Sequence, residues 1–338
     1  MTETPSDFVL AGLTPADDMP HEVRDTPDWS ENYLSFASFT SEGMSYWLHH
    51  GRTNWEPHLW QEIVVVYLPD DRYLVSKATA RTTEDSGPRG AGLYYRCDEP
   101  FRLWTKTFRG GARLMTGAEL RSGALTDGES VGLEFDSQWQ ALGPAFTMDT
   151  SKQTWTDAHY EQHCSVTGRM IWNGNEVTLT GSGLRDHSWG PRDWRPVGRH
   201  AWIHAQWDDG RSFMIFYLVS RDGSHTLSHV TLDSGAGPKD AELVSVAPLC
   251  ENIIDGLNGY RLEIREPSGR IVVIDAQVQQ AATLAMIGKS ELGIGACSGA
   301  WRHLSEAQTQ FSWDGDVAVG LTVLTVSRDS DHGVRVRH

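Results

Sequence analysis

The sequence predicts an all-β protein, and three observations support this prediction. Short runs rich in β-branched and aromatic residues recur at close spacing along the 338 residues. Turn-forming pairs such as Asn173-Gly174 and Asp222-Gly223 separate several of these runs, and such pairs are strong hairpin signals. Helical periodicity is scarce. The pattern is typical of β-sandwiches and barrels rather than of alternating βαβ units.

The first predicted hairpin has a pattern that recurs in the later elements. A β-branched run ends at the turn cluster Pro69-Asp70-Asp71, and an alternating run resumes directly after it. By the same criteria the predicted strands are 63–67, 72–76, 93–97, 101–108, 131–136, 170–172, 176–180, 201–207, 212–219, 226–232, 259–266, 271–278 and 317–326. Short helices are predicted around 30–35 and 304–310.

The two halves of the chain are similar in style, because each carries hairpins with aromatic alternation. We therefore predict two β-domains, an N-terminal one over 1–175 and a C-terminal one over 176–338. No linker rich in Gly, Ser or Pro lies between them, so we expect the two domains to pack closely.

The composition excludes several classes of function. The chain has 29 basic and 45 acidic residues and a net charge of −16, which disfavours nucleic acid and anionic membrane surfaces as partners. The four cysteines form no CxxC pair, so a zinc knuckle is not expected. No signal peptide and no bilayer-spanning apolar run is visible. We expect a cytoplasmic protein without membrane insertion, and a homodimer stays open.

The stretch 181–194 is the richest in chemistry, since it combines two Asp, two Arg, one His and two Trp with Gly and Pro. Gly and Pro exclude a continuous helix here. One expectation is a strand that ends near Leu184 and passes into a tight polar turn.

An extended conformation over 185–190 has a different consequence. Alternation would then place Arg185, His187 and Trp189 on one face and Asp186 on the other. In this case His187 and Trp189 would share a cavity, and Asp186 would face away.

The charges of this stretch predict a network of ion pairs. We assign Arg185, Arg192 and Asp193 to that network and expect one arginine to pair with Asp186, Asp193 or Glu161. A buried Arg–Asp lattice that only fixes a turn is the alternative interpretation.

A second cluster precedes this stretch. On a strand, His159, Glu161 and His163 would face one way, which is a metal-binding arrangement by residue type. The spacing is not that of HExxH, so we predict no metal. Glu161 is a candidate acid that could also pair with an arginine.

Aromatic residues elsewhere could line a ligand cavity, because the chain has 14 tryptophans. Tyr217, on a later strand, could donate a proton or merely pack. The residues assigned to substrate binding are Trp47, His49, Trp60, Trp104 and Trp202. An ordinary aromatic core is the alternative for this set.

The segment Arg185-Asp-His-Ser-Trp-Gly-Pro-Arg-Asp-Trp194 resembles the signature of the carotenoid hydratase (hydroxyneurosporene synthase) and AttH-like superfamily. Two further segments are similar to neighbouring parts of that family: His159-Tyr-Glu-Gln-His163, which is followed by Gly168, and Trp313-Asp-Gly315. Where an acidic residue is expected a few positions later, this chain has 320–325, Gly-Leu-Thr-Val-Leu-Thr.

The resemblance implies two tandem lipocalin-like β-domains with a ligand cavity. It also implies apolar, polyene- or terpenoid-like substrates and no cofactor or metal, and the fungal decalin-forming cyclases are similar in architecture. It favours His187 and Trp189 as the cavity pair. We expect that cavity where the two halves meet, with Asp186 or Glu161 close enough to set the protonation of His187.

Hydration of an alkene requires a proton donor, stabilisation of a carbocation and a base that activates water. The residues that could supply this chemistry are Asp186, His187, Trp189, Glu161 and Tyr217. We therefore expect a cofactor-independent lyase or isomerase that hydrates, dehydrates or cyclises an apolar small molecule. The alternative is a non-catalytic carrier of a lipophilic molecule. Nucleophile-elbow, P-loop and dinucleotide-binding motifs are not found.

Overall fold

The computed structural model describes residues 12–82, 87–123, 125, 127–147, 158–245, 258–288, 291–297 and 299–327. The chain forms two compact units. The first unit contains 1–69, 73–114 and 128–193, and the second contains 70–72, 115–127 and 194–338. The predicted boundary between 175 and 176 lies at the first residue of a strand that belongs to the first unit.

The first unit is built on a 10-stranded sheet. Its strands are β1 (Trp29–Phe39), β2 (Met44–Thr53), β3 (Leu59–Leu68), β4 (Arg72–Arg81), β5 (Leu93–Glu99), β6 (Leu103–Thr116), β7 (Glu129–Ala141), β8 (Phe146–Thr147), β9 (Ala158–Trp172) and β10 (Asn175–Pro191). Because β10 pairs with β1 along one edge and with β9 along the other, the sheet closes on itself as a barrel.

The interior of this barrel is filled by large side chains. Tyr46 lies 5.3 Å from Phe135 in a parallel arrangement, and its hydroxyl donates a 3.0 Å hydrogen bond to Ser137. Trp139 belongs to the same buried cluster and donates from its indole to Ser137. Alternation along each strand sends these residues to the inner face.

The second unit also contains a 10-stranded sheet. Its strands are β11 (Val197–Gln206), β12 (Ser212–Ser220), β13 (Thr226–Asp233), β14 (Lys239–Asp240), β15 (Glu242–Leu243), β16 (Gly259–Arg265), β17 (Ile271–Met286), β18 (Leu292–Ile294), β19 (Arg302–Trp313) and β20 (Asp316–Ser327). The short strand β14 pairs with β13, and β15 pairs with β16. These two short strands, separated by Ala241, bring the sheet close to closure.

Helical structure is short throughout the described part of the chain. It comprises the α-helix α1 (Gly117–Ser122) and the 3-10 turns Pro15–Asp18 and Thr40–Glu42. The α-helix is capped by Thr116, whose hydroxyl accepts a hydrogen bond from the backbone N–H of Glu119. Within the described residues no helix is both long enough and apolar enough to cross a membrane.

The all-β fold with two lipocalin-like β-domains is confirmed. Every predicted strand lies on an observed strand, and Asn173 and Gly174 form the predicted turn with φ of 48° and 80°. These positive φ values are those of a type I′ hairpin, which matches the twist of the flanking strands.

Both predicted helices are wrong, because the segments lie in β1 and β19. The segment Leu304–Gln310 contains helix formers, but it pairs with β17 on one side and β20 on the other. Two complete ladders of hydrogen bonds outweigh a weak local preference. The predicted turn after Leu184 is also wrong, since β10 continues to Pro191.

Three of the four cysteines lie within the described residues. Cys97, Cys164 and Cys297 are free. Cys250 lies outside the described residues.

Candidate functional site

The centre of β10 presents a different set of side chains to each face of the sheet. Arg185, His187 and Trp189 point to the inner face of the first barrel, where His187 lies 3.8 Å from the ring of Tyr33 in a stacked arrangement. Asp186 points to the opposite face. The alternation predicted from an extended conformation is therefore confirmed.

On the inner face, Arg185 forms a buried ion pair with Asp18. Nη1 lies 2.6 Å from Oδ1 and Nη2 lies 3.3 Å from Oδ2. The same carboxylate accepts hydrogen bonds from the backbone N–H of Phe101 at 2.5 Å and from the indole of Trp104 at 2.8 Å, and also from the hydroxyl of Tyr160. Burial raises the pKa of Asp18, but Arg185 and these hydrogen bonds bring it below its usual value.

The bidentate partner of Arg185 is thus Asp18, and the prediction that named Asp186, Asp193 or Glu161 was wrong for this arginine. Alternation explains the difference, because Asp186 faces the other side of the sheet. Asp18 lies 167 positions away in the sequence, and no local pattern indicates it.

A second buried carboxylate on the inner face, Glu31, is saturated with donors. Its Oε2 accepts from Nε and Nη2 of Arg52 at 2.8 and 2.6 Å. Its Oε1 lies 2.9 Å from Nδ1 of His21 and 3.1 Å from Nε2 of His187, and it also accepts from the backbone N–H of His21. Burial raises the pKa of Glu31, but these hydrogen bonds and the charge of Arg52 lower it to about 2.

His187 is fixed by contacts on every side. Its Nδ1 lies 3.1 Å from the carbonyl oxygen of Asp17, and its Nε2 faces Glu31. Trp189 stacks on His21 at 3.9 Å and is 9% exposed, whereas His187 is fully buried. Burial lowers the pKa of His187. Glu31 takes the place beside His187 that was predicted for Asp186 or Glu161.

On the opposite face, His159 lies between two carboxylates. Its Nε2 is 2.5 Å from Oδ2 of Asp186 and 3.5 Å from Oε1 of Glu161. Burial lowers the pKa of His159, but the charges of Glu161 and Asp186 outweigh this effect and raise the pKa above its usual value. Oδ1 of Asp186 accepts from the backbone N–H of Leu34 at 3.2 Å, which orients the carboxylate. We call His159, Asp186 and Glu161 the outer cluster.

Two more ionisable side chains act on the outer cluster. Burial lowers the pKa of His49 to about 4, and Asp186 opposes this shift. Burial lowers the pKa of Arg192 to about 10, again opposed by Asp186. Trp47 stacks parallel to His49 at 5.6 Å on the same strand. The outer cluster therefore joins an imidazole to one carboxylate by a hydrogen bond and to a second by charge, and an aromatic ring and a neutral imidazole lie on a neighbouring strand.

In the part of the chain that the structure describes, two groups of side chains have ligand atoms within 4.8 Å of one another, as a metal ion requires. One is His21, Glu31 and His187; the other is the outer cluster. Arg52 and three donors already occupy the oxygens of Glu31, which disfavours a cation there. The outer cluster has a suitable ligand set, but its third ligand is Asp186, whereas the arrangement considered from the sequence had His163 as the third ligand. The absence of a metal stays a prediction.

The other residues that were predicted to bind substrate or donate a proton lie partly in the first barrel and partly in the second unit. Trp60 and Trp104 lie in the core of the first barrel, and the guanidinium of Arg52 lies 4.6 Å from the ring of Trp60. Tyr217 packs against the core of the second unit. Trp202 also lies in the second unit, buried 5.3 Å from the ring of His204. The cavity roles of these residues, and the place of Asp193 in the network, stay predictions.

Sequence reasoning missed Asp18, His21, Glu31 and Arg52. Glu31 fell within a predicted helix, and the other three lie in stretches that carry no recognisable motif. Glu31 lies two positions from both Trp29 and Tyr33, and a charged residue between aromatic residues on one face of a strand is the signal that could have indicated it.

Solved structures of similar fold cover nearly the whole chain. A protein assigned as AttH from Nitrosomonas europaea is 15% identical, with a TM-score of 0.51 over 91% of this chain and 98% of that chain. CghA with Sch210972 is 14% identical, with a TM-score of 0.54 over 95% and 96%. Kievitone hydratase from Nectria haematococca is 9% identical, with a TM-score of 0.56 over 97% and 95%.

These identities are low, so the likeness concerns the fold. The relation to the AttH-like superfamily and to the carotenoid hydratases stays a prediction. Among curated proteins, none matches this sequence. The family model described as "Domain of unknown function (DUF7064)" matches residues 14–326, so the chain belongs to that family.

Proposed function

We propose that this protein is a lyase or isomerase that moves a proton at an apolar, terpenoid- or polyene-like small molecule, without an organic cofactor. Addition or removal of water is the reaction we favour, and cyclisation is the second choice. The observation that carries the proposal is His159, buried between two carboxylates in the outer cluster.

The outer cluster suits acid–base chemistry because its groups share a proton. A buried imidazole beside two carboxylates stays protonated at pH values above the ordinary pKa of histidine. His159 can therefore donate a proton near neutral pH. In hydration, this proton would add to one alkene carbon, and water would attack the cation left on its neighbour. The proton that the water then loses would return to the cluster, so atoms and charge balance.

Neighbouring groups support the cationic intermediate. The negative charges of Asp186 and Glu161 attract a developing positive charge, and the ring of Trp47 offers a cation–π surface worth about 0.5–2 kcal/mol. In contrast, His187 and Trp189 are enclosed by Glu31, Asp17, Tyr33 and His21. We therefore move the proposed chemistry from His187 to His159 and assign His187 a positioning role.

The fold gives a second line of support. One solved structure of similar architecture is named as a kievitone hydratase, and water addition to an apolar substrate is the activity proposed here. At 9% identity this likeness does not identify the substrate.

The test is to incubate the protein with a panel of terpenols, polyenes and steroids in heavy-oxygen water and to follow label incorporation by mass spectrometry. For a substrate found in this way, we expect His159→Gln and Asp186→Asn each to lower kcat by about 100-fold or more. His163→Gln is the matched control, since His163 is a buried histidine on the same strand outside the outer cluster. It should retain most of the turnover.

The pH profile separates a catalytic from a structural role. Removing the charge of Asp186 lowers the pKa of His159, so the alkaline limb of the residual kcat should move to lower pH in Asp186→Asn. Unchanged turnover in His159→Gln would contradict the proposal. Ligand quenching of tryptophan fluorescence without any turnover across the panel would favour the carrier.

A further inference from the structure

Arg302 is a buried guanidinium in the second unit. It begins β19, has no exposed surface and lies 5.4 Å from the ring of Trp194 and 5.2 Å from that of Trp301. Its Nη2 donates to the carbonyl oxygens of Trp194, at 2.8 Å, and Val197. These contacts hold the plane of the guanidinium but supply no negative charge.

The other N–H groups of Arg302, on Nε and Nη1, have no acceptor among the residues that the structure describes. Within the described residues Arg302 also forms no ion pair, whereas the buried Arg185 pairs with Asp18 and Arg52 with Glu31. An unpaired buried charge with unmet donors is strongly unfavourable, and native proteins rarely leave one without a ligand.

A second arginine adds to the positive charge at this position. Nη2 of Arg221 donates a 2.7 Å hydrogen bond to Oγ of Ser327, and Ser327 is the strand partner of Arg302. Burial and the charge of Arg221 together lower the pKa of Arg302 to about 9. Arg221 therefore bonds the strand partner of Arg302, and its positive charge acts on the Arg302 guanidinium.

We propose that Arg302 and Arg221 form a binding site for a small oxyanion, the phosphate or carboxylate group of a small molecule. Oxyanions supply both of the features that Arg302 lacks, acceptor oxygens and negative charge. Trp194 and Trp301 are half-buried, so Arg302 lies just below the surface and is covered by aromatic rings. The site lies within the second unit and does not depend on the outer cluster.

The experiment measures the Tm of the full chain against inorganic phosphate and, in a separate arm, against acetate, with chloride added to hold ionic strength constant. A ligand that binds only the folded state raises Tm with its concentration. We expect a saturating rise with phosphate, with acetate or with both, and the more effective ion identifies the group that the site takes. Calorimetric titration of the same ions gives the affinity directly.

The variants assign that effect to the site. Arg302→Met should weaken the affinity by more than about tenfold, and Arg221→Gln, a milder change, should weaken it in the same direction. Arg261→Met is the control, because Arg261 is an exposed arginine of the same unit that pairs with Asp275. If neither ion raises Tm above the chloride control, or if Arg221→Gln and Arg302→Met bind as the unaltered protein does, the site does not exist.

Discussion

At the scale of single residues, the surroundings of each buried charge decide its role. The carboxylates of Asp18 and Glu31 have an arginine and several further donors each, which hold them ionised. Asp186 accepts from one backbone N–H and from His159, and Glu161 lies 3.5 Å from the same imidazole nitrogen; in the function we propose, these three groups share one proton. Saturated groups stabilise a fixed geometry, whereas groups that share one proton can transfer it.

This contrast predicts a large effect of Asp18→Asn. The substitution leaves Arg185 buried without its counter-charge, and breaking such a pair costs about 3–5 kcal/mol. Urea unfolding should show this loss. Asp17→Asn serves as the control, because the side chain of Asp17 is 25% exposed, and it should cost far less. Replacing Arg185 by Met in the Asp18→Asn background should recover part of the stability. Equal, small effects of both single substitutions would contradict this account.

At the scale of elements, β10 organises the first unit. It pairs with β1 and β9, closes the barrel and carries residues of both the inner networks and the outer cluster. Its glycines allow close approach of the neighbouring chain: a Cβ at Gly181 would lie 1.8 Å from the carbonyl oxygen of Ser38. At Gly183 the nearest atoms would be the carbonyl oxygen of Phe36 and the ring of Trp139, both at 2.7 Å.

We therefore expect Gly181→Ala to destabilise the first unit, because the strands must separate to admit the methyl group. Overpacking of this kind costs about 1–3 kcal/mol. Gly132→Ala on β7 is the matched control, since a Cβ there meets no atom within 4 Å. Thermal unfolding of the two variants compares them directly. A loss of stability in Gly132→Ala as large as that in Gly181→Ala would show that strand approach is not the cause.

At the scale of the whole molecule, buried histidines make stability depend on pH. Burial lowers the pKa of His49 to about 4, that of His50 to about 3 and that of His163 to about 4. These side chains are neutral in the folded state, but in the unfolded chain they bind protons below about pH 6.5. The unfolded state then holds more protons, so stability falls as pH decreases from 6.5 towards 4. The pKa of His159 is raised, so its contribution to stability grows as pH falls towards 6.5 and is constant below that value.

The prediction is a loss of about 2 kcal/mol per buried neutral histidine between pH 6.5 and 5. Urea unfolding at a series of pH values measures it. His163→Phe should reduce the slope, since it removes one such proton, and His58→Asn, at an exposed position, should leave the slope unchanged. A stability that is flat over this range, or that rises as pH falls, would contradict the assignment of neutral histidines.

The sequence by itself determined the fold class and the approximate position of the predicted strands, and it offered the alternation along β10 as one of two expectations. These properties depend on neighbours a few residues apart, so local patterns reveal them. The segments 30–35 and 304–310 were misassigned because both faces of β1 and β19 are largely buried, which hides the period of a strand. The pattern did not show which face of β10 would point into the barrel and which would point outwards.

Only the tertiary structure decided which groups meet. Asp18 reaches Arg185 across 167 positions, and His159 reaches Asp186 through the register of β9 and β10. A shift of one residue in that register would exchange the two faces, so the partners depend on barrel closure rather than on any motif. The same closure buries Glu31 beside His187 and leaves His159, Asp186 and Glu161 on the opposite face. For this reason the motif could be found in the sequence, whereas the proposal that places the chemistry at His159 required the tertiary structure.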